Sequence, residues 1–245
     1  MKKKLKMVLF VLLILMLSGC TASNGHDILN AKDKPLTWQG EKEKPFGKFE
    51  YRKLDEKEVK KLLKEKFSVE LPSYYKDIQI VFDKHFVTAN THLAPTEYSI
   101  TTDGESLYFR GINKYYQQDE LKIFTYIDFD YQFDQKKKLV TLKNQTLTIS
   151  NPSKERQLPK NDLDETIKDV SSLINISLGK NLDDLHALMK KDKGKLKGSV
   201  LQVYENIEAA KDANELQKSI AVELDNEEHI NQLYFYITDV IDENI

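Results

Sequence analysis

Two carboxylates two residues apart, Asp128 and Asp130 in Tyr126-Ile127-Asp128-Phe129-Asp130, are the strongest candidates for chemistry in this 245-residue chain. Side chains alternate faces along an extended strand, so this spacing sets both acids on one face, roughly 7 Å apart, with Asp134 beyond them. Acids at that separation suit general acid/base work or the holding of a hard cation, and they equally suit a solvated sheet face. Eight tyrosines, from Tyr74 to Tyr131, crowd the same half. Their rings suit stacking on sugars or anchoring a protein partner, with Tyr115-Tyr116 and the Phe124/Tyr126 pair as the places where binding is expected. Core filling and β propensity would use the same residues. Cys20 is the only cysteine, so no intramolecular disulfide is possible.

The remaining motifs exclude more than they offer. His85 and His92 are seven residues apart, which puts them on opposite faces of a continuous strand. His26, His186 and His229 lie in separate segments. No His-Glu-x-x-His, Cys cluster, Gly-x-Ser-x-Gly or phosphate-cradling glycine loop occurs. No metal and no cofactor is therefore expected. The acidic strand at 126–130 is similar to that of chitinase-like glycosidases, but it lacks the Gly and the terminal Glu of that pattern.

The elements that position these residues begin with a leader. Lys2, Lys3, Lys4 and Lys6 precede an apolar run from Met7 to Leu17, which is too short to span a bilayer. Leu17-Ser18-Gly19-Cys20 resembles the lipobox of bacterial lipoproteins, of a Gram-positive-like kind. The resemblance covers residues 1–20 alone. It implies cleavage after Gly19, a diacylglyceryl group on the Cys20 thiol, and anchoring on the extracytoplasmic face of the cell membrane. Two acyl chains anchor persistently, since each buried methylene contributes roughly 0.8 kcal/mol. The leader's apolar end is also similar to peptide pheromones released from some lipoprotein signals, an alternative product of the same chain.

Residues 20–45 read as a lipidated flexible tether in which Trp38 either packs back on the domain or dips into the lipid interface. Removing four leader lysines takes the formal charge from −2 to −6. That balance argues against nucleic acid as a partner.

The folded part divides by hydrophobic period. Residues 46–152 predict strands with one helix, which starts at Asp55 and carries Val59, Leu62, Leu63 and Phe67. Ile78, Ile80, Phe82 and Phe86 read as an alternating strand. Tyr98–Thr102 and Leu107–Arg110 meet at Asp103-Gly104, while Leu121–Phe133 and Leu139–Ser150 meet at 134–137; both are hairpin patterns. Residues 160–245 predict helices, at Leu163 to Ile174, at Asn181 to Met189, and again at 200–211, 216–224 and 230–241. The expected fold is α+β: an antiparallel sheet of about five or six strands in the N-terminal half, packed with amphipathic helices of the C-terminal half. One globular unit is favoured over a separate helical subdomain.

The functional reading is a lipid-anchored extracytoplasmic protein whose domain binds a protein, peptide or cell-envelope component without catalysis. The alternative is an extracytoplasmic hydrolase that uses Asp128 and Asp130. A deep pocket around those acids favours the enzyme, and a broad shallow aromatic patch favours binding.

Overall fold

The structure, a computed structural model, describes residues 28–152 and 160–240. Cys20, the leader and the first part of the expected tether lie outside the described residues. The strands are β1 (Gln39–Glu41), β2 (Gly47–Leu54), β3 (Thr91–Leu93), β4 (Glu97–Gly104), β5 (Ser106–Gln117), β6 (Glu120–Asp134), β7 (Leu139–Ser150), β8 (Val200–Glu205), β9 (Gln217–Leu224) and β10 (Ile230–Thr238). The helices are α1 (Glu56–Lys61, running on as a wider turn through Leu62–Phe67), α2 (Tyr75–Phe86), α3 (Lys160–Leu173), α4 (Asn181–Lys191) and α5 (Ile207–Asp212).

All ten strands join one antiparallel sheet in the order β2-β4-β5-β6-β7-β10-β9-β8, with β1 added to the end of β7 and β3 to the end of β5. Its centre is the long meander β5-β6-β7. The β4-β5 turn needs Gly104, whose φ of +66° is costly for a residue with a Cβ. At the β6-β7 turn, Asp134 Oδ1 accepts from the backbone N–H groups of Lys136 and Lys137 at 2.8 and 3.0 Å.

Alternation along these strands sorts their side chains onto two unlike faces. On β6, Ile123, Ile127, Phe129, Tyr131 and Phe133 are buried, and the residues between Phe124 and Gln132 that alternate with them are half-exposed. The buried face carries the core. Phe109 stacks on Phe129 at 5.7 Å, and Tyr75 of α2 meets both edge-on at 5.7 and 5.9 Å. A Cβ on Gly111 would come within 2.9 Å of the Tyr75 hydroxyl, so the small residue makes room for the helix. The apolar sides of α3 (Leu163, Ile167, Val170) and α4 (Leu182, Leu185) join the same cluster. Among the described residues no helix is long and apolar enough to cross a membrane.

The expected fold class is corrected here. The sheet has ten strands rather than five or six, and β8, β9 and β10 come from the half expected to be helical. The helices are short, and they do not form a packed C-terminal half. Leu216, just before β9, and Ile220 and Leu224 within it are buried and four apart, a spacing that satisfies both a helix and a strand, and Lys218 interrupts the apolar alternation between them. In β10 Leu233, Phe235 and Ile237 are buried while Tyr234 and Tyr236 take the other face, so apolar and aromatic residues hide the period of two. The error runs the other way at α2. Tyr75, Ile78, Phe82 and Phe86 are buried at helical spacing, and Ile80, which suggested a strand, is 64% exposed.

Residues 28–45, expected in the tether, are packed against the core face. Leu29 and Leu36 are buried, and Trp38 lies edge-on to Tyr131 at 5.8 Å. The Leu142 N–H donates to the Trp38 carbonyl at 2.9 Å. Asp33 is fully buried, with Oδ1 accepting from Lys218 Nζ at 2.6 Å and Oδ2 from the Leu216 N–H at 2.9 Å. Burial pushes the Lys218 ammonium below its usual pKa, against the pull of Asp33. Breaking such a buried pair leaves an uncompensated charge, so Lys218→Met is expected to cost about 3–5 kcal/mol, measured by urea denaturation.

Candidate functional site

The face opposite the helices is built from the alternate residues of the central strands, and cross-strand register sets its rows. One row runs Ser99, Arg110, Asp128, Thr146, Tyr236 across β4, β5, β6, β7 and β10. The next runs Thr101, Tyr108, Asp130, Asn144, Thr238. Directly opposite residues approach to about 5 Å at Cβ, so each row is a line of neighbours. The β4 to β7 members of the two rows line an open depression of about 400 Å³, and Tyr236 stands next to it as the cross-strand neighbour of Thr146.

Its two acids are in different states. Arg110 grips Asp128 with two bonds, Nε to Oδ1 at 2.6 Å and Nη2 to Oδ2 at 2.8 Å, and its guanidinium lies 4.8 Å from the Tyr126 ring centre. Asp130 has only neutral donors, Gln132 Nε2 at 2.8 Å on Oδ1 and Asn144 Nδ2 at 3.1 Å on Oδ2. Partial burial raises the Asp130 pKa, and those two amides oppose the rise. The sequence places both acids on one face, and the structure gives them unlike partners: Asp128 is spanned by Arg110, while Asp130 is held by amides.

The aromatic candidates separate by face. Tyr115 is fully buried in the core, where it donates to Asp83 Oδ1 at 2.9 Å and packs on Phe86 at 5.4 Å. Tyr116 lies on the open side with its ring near that of His92, at 6.1 Å. Phe124 and Tyr126 pair edge-to-face at 4.9 Å on the open face. Tyr234 and Tyr236 stack at 5.9 Å on β10, with the Tyr234 hydroxyl between Gln232 Oε1 and Glu223 Oε2. The most exposed rings beside the depression are Tyr108 at 46% and Tyr236 at 39%. Sequence reasoning singled out neither. Tyr236 fell in a segment read as helix, and Tyr108 emerges only when β5 is set opposite β6.

A second cavity, of about 680 Å³, lies among α3, α4 and the β9-β10 turn. Within it His186 Nε2 contacts Asp164 Oδ2 at 2.9 Å and Glu228 accepts from the Gly194 and Leu196 N–H groups at 2.7 Å each, while His229 Nδ1 is buried with no hydrogen-bond partner among the described residues. Among the described residues no group of three or more His, Cys, Asp or Glu is placed to hold a metal ion. Comparison with protein-family models, with curated proteins and with solved structures found no match.

The raised Asp130 pKa has a definite sign for stability. A folded-state pKa above the unfolded one gives stability that is present below the ordinary value of 3.8 and lost as pH rises through the folded value. Asp130→Asn removes that ionisation. The variant should be the more stable protein near about pH 7, and the difference should shrink toward about pH 3, as followed by urea midpoints.

Proposed function

We propose that this chain is a lipid-anchored extracytoplasmic protein that binds a protein, peptide or cell-envelope component through the open face of its sheet. The observation that carries the reading is the pair of exposed rings, Tyr108 and Tyr236, beside a polar depression on a face that the core cluster leaves uncovered. Aromatic residues with one polar end supply much contact area at little entropic cost, and they dominate recognition surfaces. The depression is open to solvent and presents hydroxyl, amide and carboxylate groups in register. That shape suits an extended ligand laid across the strands. The leader supports the location: a cationic start, a short apolar run and Leu17-Ser18-Gly19-Cys20 are the features of a lipidation signal.

Two experiments test the two parts. In a bacterial host, Cys20→Ala should abolish incorporation of labelled fatty acid and shift the protein from the membrane fraction to the soluble one; a variant that stays membrane-bound sinks the anchor. For the binding face, Tyr108→Ser combined with Tyr236→Ser should lower retention on purified envelope material at least roughly tenfold, which is the loss of about 1.4 kcal/mol. Both rings are half-exposed, so the thermal midpoint should hardly move. Unchanged retention would remove the open face from the proposal.

A further inference from the structure

Most acids of the open face are paired with a cation, and inside the depression Asp130 is not. Asp128 is paired to Arg110, Glu97 to Lys114 at 2.6 Å, Glu120 to Lys122 at 3.1 Å and Asp103 to Lys48 at 3.0 Å. Glu223 has no such cation but receives the Tyr234 hydroxyl. Asp130 is part-buried, and among the described residues its partners are the amides of Gln132 and Asn144, which orient a carboxylate without neutralising it. Holding a part-buried charge with no countercharge is unfavourable. The depression therefore lacks one positive charge.

Resting on the open-face reading, we infer that the depression receives the lysine side chain of a bound peptide, with its ammonium on Asp130 and its alkyl stem along Tyr108. Tyr108 is the direct cross-strand neighbour of Asp130, and its exposed ring gives the four methylenes an apolar flank and the cation a π face. Asn144 uses its amide nitrogen on Asp130 and so keeps a carbonyl oxygen free beside it. A compact ammonium with three donors and no planarity requirement suits such an acceptor pair, whereas a guanidinium fork is built for a carboxylate with both oxygens open. An extended peptide also matches the rim, where Ser99, Thr101 and Thr146 offer hydroxyls to backbone groups.

The test titrates the full chain in detergent with an acetylated, amidated Gly-Gly-Lys-Gly-Gly peptide, followed by calorimetry. Parallel arms use the same peptide acetylated on the lysine side chain, its arginine counterpart, and glucosamine. Binding of the lysine peptide should weaken at least roughly tenfold on side-chain acetylation and by a similar factor in Asp130→Asn. Equal binding of the acetylated peptide, or an unaffected Asp130→Asn that is shown to be folded, overturns the inference. Tighter binding of the arginine peptide or of glucosamine overturns the choice of lysine. The retention assay separates the two levels. Loss in the double tyrosine variant with full retention in Asp130→Asn leaves the binding face standing and removes the lysine site, whereas full retention in both removes the two together.

Discussion

One constraint governs this molecule: a ten-stranded antiparallel sheet has two faces, and the chain carries apolar mass enough to cover one. The large buried hydrophobic residues of the central strands, from Tyr98 and Phe109 through Phe129 and Leu147 to Phe235 and Val222, belong to a single cluster on the helix side. The helices are short because each is a patch on that face; Tyr75, Ile78, Phe82 and Phe86 of α2, for example, cover the middle of the meander. The other face has to remain in water without becoming a sticky plane. It does so with hydroxyls, paired charges and tyrosines, whose rings shield the sheet while their oxygens stay hydrated.

That solution explains the contrast between Asp128 and Asp130. Two acids on adjacent turns of the pleat repel each other, and the cross-strand position opposite Asp128 is filled by Arg110, which removes the repulsion at its source. The position opposite Asp130 holds Tyr108 instead. A lysine or arginine there would have been the stabilising choice on an ordinary sheet surface. The departure from that rule is local, and it coincides with the depression.

How far the sequence was legible follows from how strictly each segment obeys one period. The β6 strand alternates over its whole length, so both of its faces and both of its acids were placed correctly from spacing alone. The turns at Gly104 and Asp134 announce themselves through residues that the backbone requires. Residues 216–224 were read as helix because four-residue spacing is common to a helix and to alternate positions of a strand, and residues 230–241 because tyrosines fill the positions between the apolar residues of β10. Lys218 compounded this: a lysine in a buried row looks like the end of an apolar face, and only the distant Asp33 makes it tolerable there. Such a pairing, 185 residues apart, leaves no local trace. The site was legible in its acids and not in its neighbours, because Arg110, Tyr108, Asn144 and Tyr236 reach it through register.

The segment from Asn30 to Asp33 fixes how any pull from the N-terminal side would enter the sheet. Asn30 is bonded to Asn214, Lys32 to Glu215, and Asp33 to Leu216 and Lys218, so four successive contacts rivet it to the start of β9. At this end of the sheet the edge strand is β8, and β9 is held on both sides, by β8 and β10. Tension arriving along the chain ahead of Ile28 is thus taken up by an interior strand rather than by the one that peels most easily. It is also delivered on the helix side, so a chain moored at that end carries its load on one surface and leaves the opposite surface unobstructed.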